Sequence, residues 1–204
     1  SQAVAPEVLE EFGFDYRDGA WWRYQMLAGQ GEHIVLRMRA VMPAEPANTV
    51  VIQVERLRRL SGKDELADDQ AVTLIIRPDV EDRNFHQVTK AFTGPEHQWP
   101  AAVTSWENGF CFKPAPERSL WMQVDNGRFF IAPEWYYMVH RPLEAQRGLE
   151  ADSDLFGPGY FACHLLGGQR VTLTAHVAAA QTKAMPIVAE FNPPPPGAGD
   201  LPLA

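Results

Sequence analysis

Two stretches of the sequence gather charged and aromatic residues of the types that bind or cleave carbohydrate. The first, residues 77–86, alternates in charge and ends in an aromatic residue and a histidine. Its candidate binding residues are Arg77, Arg83 and His86, because an arginine offers paired hydrogen-bond donors to a hydroxyl-rich ligand. A solvated loop held by salt bridges would use the same residues, and the composition of the stretch alone favours that structural alternative.

The second stretch, residues 134–159, brings rings and ionisable groups close together in sequence. Flat rings can cover the apolar face of a pyranose while charged groups bind its hydroxyls. The residues that could bind sugar in this way, or form a domain interface, are Trp135, Tyr136, Glu144 and Arg147.

The second stretch also contains carboxylates that could catalyse glycoside hydrolysis. Glu144 with Asp152 or Asp154 could act as general acid and base if the two carboxyl groups lay ~5 to 9.5 Å apart. Acidic residues beside Gly-Pro turns more often form turns and caps. A structural role for these three carboxylates is therefore favoured over a catalytic one.

Other kinds of site are not supported by the spacing of residues. The six histidines show no chelating pattern, so the sequence predicts no metal site. Gly29-Gln30-Gly31 lacks the further glycine and the lysine of a phosphate-binding loop, and no cofactor is predicted. The net charge of −8 disfavours nucleic acid as a partner, because nucleic-acid-binding domains usually have a basic face.

The location of the protein is predicted from its apolar runs and its cysteines. No run approaches the ~18 to 20 residues that span a bilayer, so the sequence predicts no membrane partner. Cys111 and Cys163 have apolar neighbours, which predicts buried free thiols instead of a disulfide. Free thiols favour a cytoplasmic location.

The elements that must position these residues are predicted to be antiparallel strands. Four pairs of turn residues, each able to adopt positive φ, predict β-hairpins at Asp18-Gly19, Asn108-Gly109, Asn126-Gly127 and Gly167-Gly168. In residues 34–41 and in residues 49–57, side chains alternate between two faces with the period of a β-strand, and the two segments are predicted to be neighbouring strands. The dense apolar run 71–76 predicts a central strand. The predicted fold class is all-β, with antiparallel sheets and few or no helices.

The chain divides into three predicted parts. Its 204 residues fit one large β domain, predicted over residues 12–180. Residues 1–11 are predicted to be an N-terminal extension. Residues 181–204 contain a run of four prolines followed by glycines, which predicts a semi-rigid linker.

Both charged stretches resemble motifs of one protein family. Ile76-Arg77-Pro78 followed by Asp82-Arg83-Asn84-Phe85-His86 is similar to an "LRP…YRDFH" element. A "WY…E…RGLD…EDLF.PG.F" element is similar to Trp135-Tyr136, Glu144, Arg147-Gly148-Leu149-Glu150, Asp152, Asp154-Leu155-Phe156 and Pro158-Gly159-Tyr160-Phe161. Both elements belong to the N-terminal domain of bacterial and archaeal glycogen debranching enzymes of the amylo-α-1,6-glucosidase type. The resemblance extends over residues 12–177, with Ser153 at the position of the motif's Glu.

The resemblance implies a β supersandwich joined by a linker to an (α/α)6 toroid that carries the catalytic carboxylates. On that basis the chain is expected to be a non-catalytic domain that positions α-glucan, such as glycogen or maltodextrin, or packs against the toroid. Its site residues would be loop residues at one end of a sheet, facing the domain after the linker.

Two alternatives to that function remain open. The chain could itself be a glycosidase or glucanotransferase that uses Glu144 with Asp152 or Asp154. It could also be a pure protein-interaction module, in which Arg147 pairs with Glu150, Asp152 or Asp154 to fix a long loop.

Overall fold

The computed structural model describes residues 8–15, 19–29, 31–60, 64–85 and 87–179, which form two antiparallel β-sheets. The α-helices in this part of the chain are two single turns, α1 (Pro95–Gln98) and α2 (Pro142–Gln146). The strands are β1 (Leu9–Asp15), β2 (Gly19–Gly29), β3 (Glu32–Val41), β4 (Thr49–Arg56), β5 (Val72–Ile76), β6 (Val103–Trp106), β7 (Gly109–Ala115), β8 (Arg118–Val124), β9 (Arg128–His140), β10 (Asp152–Leu165) and β11 (Arg170–Ala179).

The larger sheet has the strand order β1-β2-β3-β4-β11-β8-β7-β6, and the smaller has the order β5-β10-β9. All paired neighbours in both sheets are antiparallel. The predicted all-β class with packed antiparallel sheets is therefore confirmed. No helix in the described ranges is long and apolar enough to cross a bilayer.

The hydrophobic core lies between the two sheets. Alternation along the strands turns apolar side chains inward, and five phenylalanines of the described residues belong to the core. The Phe110 and Phe129 rings are 4.7 Å apart, and Phe129 and Phe161 are 4.9 Å apart. The core also includes the fully buried Cys163, whose burial raises its pKa to about 11. Both cysteines are free thiols, as predicted, but Cys111 is only partly buried, so the prediction of a buried thiol is wrong for Cys111.

Two of the four predicted hairpins are correct and two are wrong. β1 pairs with β2 up to Gly19, and β6 pairs with β7 around Asn108-Gly109. At Asn126-Gly127, however, the chain passes from β8 in the larger sheet to β9 in the smaller one. It crosses back through Gly167-Gly168, between β10 and β11. Asp18 lies outside the described residues.

Gly127 shows why a turn signal does not specify a hairpin. Its φ is +143°, and a Cβ at this position would lie 2.6 Å from the Cys163 sulfur. The glycine is therefore required by a close approach between the sheets. An Asn-Gly pair supplies positive φ equally well at a corner between sheets and at a hairpin.

The run 71–76 forms β5, which is an edge strand of the smaller sheet, so its predicted central position is wrong. Val72, Leu74 and Ile76 pack against the core, whereas Ile75 faces outward and is half exposed. Because Ile75 is apolar although it faces outward, the sequence of this strand suggested that both of its faces are buried. The prediction that residues 34–41 and 49–57 are neighbouring strands is confirmed by the pairing of β3 with β4.

A buried arginine closes one end of the core. Arg56, at the end of β4, is 1% exposed and donates hydrogen bonds to backbone carbonyls, among them those of Leu66 (3.0 Å), Ala67 (2.8 Å) and Leu165 (3.3 Å). These bonds hold the loop after β4 against the end of β10. They also stabilise the guanidinium charge of Arg56, which would be costly to bury without hydrogen-bond partners.

Candidate functional site

The two charged stretches of the sequence lie side by side along β10. Val80 and Phe156 exchange backbone hydrogen bonds of 2.8 and 3.2 Å in an antiparallel bridge. Farther along, the Asp154 N–H donates to the Thr89 carbonyl at 2.9 Å. Residues 79–85 and 87–91, here called the β10 strap, therefore pack onto the strand that carries the second motif.

Glu81 is the centre of an ion cluster between the β10 strap and the smaller sheet. Its carboxylate accepts hydrogen bonds of 2.5 Å from Ser153 Oγ and from Arg141, and Arg83 Nε lies 3.1 Å away. Ser153 Oγ in turn accepts the Thr89 N–H at 2.9 Å. Burial raises the pKa of Glu81, but these hydrogen bonds outweigh it, and the net pKa lies below its ordinary value.

Asp154 uses both carboxylate oxygens to hold backbone groups. Oδ2 accepts the Ala91 N–H at 2.8 Å, and Oδ1 accepts the Met138 N–H at 2.9 Å. Asp154 is only 4% exposed. Met138 has a φ of +55°, rare for a residue other than glycine, at a bulge where the β9–β10 register shifts. The carboxylate thus joins the strap to the bulge.

Asp152 lies where β10 begins and is more accessible than Asp154. Its Oδ1 is 2.8 Å from His140 Nδ1, and both side chains are partly exposed. The Asp152 carbonyl accepts a 2.9 Å hydrogen bond from Lys90 Nζ, which also pairs with Glu150 at 2.8 Å. The hydrogen bond to Glu150 raises the pKa of Lys90.

A charged and aromatic surface lies on the outer face of the smaller sheet. Arg77 follows β5 and pairs with Glu134 of β9, and its guanidinium lies 5.7 Å from the Tyr136 ring centroid. Tyr136 donates to Glu134 at 3.1 Å. Gly157 of β10 lies beside them, and a Cβ at this position would lie 3.7 Å from the Tyr136 ring, which is an ordinary van der Waals distance. We call Arg77, Glu134 and Tyr136 the outer triad.

The outer triad is open to solvent and strongly polarised. About half of the Glu134 side chain is exposed, and the hydrogen bond from Arg77 lowers the pKa of Glu134. Burial and the hydrogen bond to Glu134 raise the pKa of Tyr136. The result is a tyrosine ring flanked by a fixed cation and a fixed anion, groups that suit the hydroxyls of a sugar.

Trp135 points to the opposite face of β9 from Tyr136. Its ring stacks on Trp99 at 5.3 Å and packs against Phe156 at 5.1 Å, so it belongs to the edge of the core. Tyr137 extends this row of rings and donates to Glu96 at 2.7 Å. The expectation that Trp135 and Tyr136 lie on a loop at a sheet end is wrong, because both residues lie within β9. Alternation along this strand puts their side chains on opposite faces.

Glu144 and Arg147 lie on and just after the one-turn helix α2. The Gly148 N–H donates to the Ala145 carbonyl and the Leu149 N–H to the Glu144 carbonyl, at 3.0 Å each, with Gly148 at a φ of +73°. This is a Schellman cap, and it accounts for the Arg-Gly-Leu sequence of the motif. Arg147 pairs with Glu144 at 3.3 Å, and not with Glu150, Asp152 or Asp154 as in the protein-interaction alternative.

Of the remaining predicted residues, Arg83 belongs to the β10 strap. Arg83 pairs with Glu81 and donates to the Asn84 and Phe85 carbonyls at 3.2 and 2.9 Å. His86 lies outside the described residues. Of the predicted site residues, the structure brings Arg77 and Tyr136 into contact, whereas Arg83 joins the Glu81 cluster and Trp135 joins the core.

Sequence reasoning did not single out four residues that organise the site. They are Glu81, Glu134, Arg141 and Ser153. Glu134 could have been found because it is two positions before Tyr136 and therefore on the same face of the strand. Ser153 could have been found as a polar residue at an inward position of an apolar strand. The described residues contain no group of three or more His, Cys, Asp or Glu that could hold a metal ion.

The comparisons with known proteins bear on both charged stretches. Residues 5–172 match the family model described as glycogen debranching enzyme N terminal. The matched residues include the β10 strap, the outer triad and helix α2. No curated protein matches the chain.

Replacing Asp154 tests whether its carboxylate is structural. In Asp154→Asn, an amide replaces one of the two accepting oxygens, which leaves a buried N–H unpaired. We expect the free energy of unfolding, measured with urea, to fall by about 2–3 kcal/mol. The matched control Asp152→Asn changes a partly exposed pair and should cost less than about 1 kcal/mol. Equal effects of the two substitutions would contradict the role of Asp154.

The Glu81 cluster predicts a specific dependence of stability on pH. Because the pKa of Glu81 is lower in the folded protein than its unfolded value of 4.5, its stabilisation is complete above that value. It is lost as the pH falls through the folded pKa. We expect the melting temperature to fall less between pH 5 and pH 3 in Glu81→Gln than in the unmodified protein. Glu117→Gln, which removes the same charge from an exposed turn, should retain the full fall.

Proposed function

The chain belongs to the glycogen debranching enzyme N-terminal family, and from this we propose that it is the non-catalytic β domain of a glycogen-debranching-type enzyme. In this proposal the domain positions α-glucan such as glycogen or maltodextrin. It also packs against an (α/α)6 glucosidase domain of the same parent protein, which breaks the α-1,6 bond. The proposed β domain is the predicted one, residues 12–180, extended to the start of β1 at Leu9, and residues 181–204 are proposed as the linker.

One observation carries the non-catalytic assignment, namely that Asp154 is committed to the backbone. A general acid or base must reach a substrate oxygen directly or through one water. Asp154 is buried and accepts two backbone N–H groups. Asp152 is paired with His140, and Glu144 with Arg147 beside a helix cap. The contacts of these carboxylates support structural roles for them.

The outer triad is the surface that we propose for α-glucan. The ring of Tyr136 offers a flat apolar area, while Arg77 and Glu134 offer donors and acceptors to sugar hydroxyls. The ion pair between Arg77 and Glu134 and the hydrogen bond from Tyr136 hold the three side chains together, so little conformational freedom would be lost on binding. The free thiols support our proposal that the protein is cytoplasmic.

A pure protein-interaction module is the second candidate. Exposed apolar side chains favour it, among them Phe92, Met138 and Leu143, which are each more than 60% exposed. The two candidates differ in what the isolated chain binds. An interaction module has no affinity for sugar, whereas a glucan-positioning domain binds maltodextrin by itself.

Isothermal titration calorimetry with maltoheptaose as the ligand distinguishes these two candidates. We expect the chain to bind the oligosaccharide and Tyr136→Ala to weaken binding at least about tenfold, as loss of one ring contact worth about 1.4 kcal/mol requires. Tyr137→Ala is the matched control, because Tyr137 belongs to the row of rings on the opposite face of β9. Equal affinity of the two variants, or no binding by the unmodified chain, would contradict the proposed glucan surface.

The same protein sample tests the catalytic alternative. We expect the isolated chain to release no glucose from a branched limit dextrin at high protein concentration. Release that disappears in Glu144→Gln would instead make this chain the catalytic domain.

A further inference from the structure

The outer face of the smaller sheet carries two stacked rings beyond the outer triad. Phe130 of β9 is opposite Tyr160 of β10, and their rings stack at 5.3 Å with an angle of 19° between the ring planes. Phe129 and Phe161, which precede and follow them in sequence, belong to the hydrophobic core. Since side chains alternate along a strand, Phe130 and Tyr160 point away from the core. We call these two residues the ring pair.

The ring pair is placed where a ligand can reach it. Phe130 is 42% exposed and lies on β9, which is an edge strand of the smaller sheet. An antiparallel sheet that buries one face in a core normally carries polar residues on the other face. Exposed aromatic rings held by stacking on such a face suit the apolar side of a pyranose.

The ring pair and the outer triad lie on one continuous surface. Phe129 belongs to the core and Trp135 packs against it, so their neighbours Phe130, Glu134 and Tyr136 all lie on the outer face of β9. Glu134 comes between the two rings in sequence. The ion pair of the outer triad therefore lies between the Tyr136 ring and the ring pair.

The Tyr136 ring and the ring pair are too far apart for one sugar residue to contact both. The Tyr136 ring lies beside Gly157, 3.7 Å from the position of a Cβ there, and Gly157 is three residues from Tyr160 along β10. Three residues of a strand extend for about 10 Å. A single pyranose ring is shorter than this distance, so only an oligosaccharide can contact both places at once.

We propose that the ring pair is a second subsite of the glucan surface, so that the domain recognises an extended stretch of a linear α-glucan chain instead of a single sugar residue. This inference rests on the proposed function, because it assigns the ligand of the same surface more closely. Tyr136 and the ring pair each hold one sugar unit of the chain. Arg77 and Glu134 bind the hydroxyls between these units.

A long chain gains affinity from this arrangement without any movement of the protein. Once one sugar unit is bound at the outer triad, the next units of the same chain are held close to the ring pair. The second contact therefore forms at a high effective concentration. A disaccharide gains nothing in this way, because it cannot extend from one place to the other.

Isothermal titration calorimetry with maltose and maltoheptaose tests the second subsite. Phe130→Ala should weaken maltoheptaose binding about tenfold, the loss expected for one ring contact. It should change maltose binding less than about twofold, because maltose can bind at the outer triad alone. Phe92→Ala is the matched control and should change neither affinity, since Phe92 is 79% exposed in the short helix at 91–93, outside the smaller sheet.

Two further variants separate the ring from the fold. Phe130→Tyr keeps an aromatic ring and should bind both sugars as the unmodified chain does. Phe130→Leu keeps an apolar side chain beside Tyr160 and so preserves the sheet, but it should weaken maltoheptaose binding at least about fivefold. Full affinity of Phe130→Leu for maltoheptaose would contradict a ring contact.

The same titrations distinguish failure of this inference from failure of the proposed function. If Phe130→Ala weakens both sugars equally, or weakens maltoheptaose no more than Phe92→Ala does, while Tyr136→Ala still weakens its binding, the second subsite is wrong and the outer triad remains the glucan surface. Lack of binding to either sugar by the unmodified chain would overturn both. Sedimentation as a dimer that Phe130→Ala dissociates would overturn the inference, because a second copy would then cover the ring pair.

Discussion

The buried carboxylate of Asp154 is the interaction on which the candidate site depends. It accepts N–H groups from Ala91 on the β10 strap and from Met138 at the β9 bulge, two segments that are distant in sequence. A charged acceptor forms stronger hydrogen bonds than a neutral one, and its burial raises the cost of losing either partner. With Asp154 in place, Ser153 and Glu81 are positioned to complete the ion cluster beside it. The strap, the bulge and β10 therefore form one rigid unit.

This arrangement explains why a domain without a catalytic assignment carries so many charged motif residues. Glu81, Asp154 and the helix cap after Glu144 fix irregular backbone that the sheets alone could not hold. The outer triad differs from these, because its Arg77 and Glu134 side chains are partly exposed on the outer face of the smaller sheet. Rigid support beneath an exposed group is what a binding surface requires. In the proposed function, the buried members of the motifs have structural roles and the exposed outer triad has the binding role.

Local sequence predicted the fold class and several strands, but not how the strands are distributed between sheets. Alternation identified β3 and β4 as neighbours because it depends only on each strand's own period. The corner at Gly127 was read as a hairpin because both structures need the same backbone conformation. For the site, the resemblance found the two stretches that pack together. It did not show that Trp135 faces the core, since the facing of β9 is set by its register with β10. Nor did it show the cluster around Glu81, whose partner Arg141 is 60 residues away in sequence.

Native-state hydrogen exchange at Ala91 and Met138 tests the central claim most directly. If the Asp154 carboxylate locks the β10 strap to the bulge, both amides should exchange only through global unfolding, with the same protection as the core amide of Phe161. Exchange of either amide at the rate of the exposed residues around α2, while Phe161 stays protected, would show that the strap opens independently. The account of the site as one rigid unit would then be wrong.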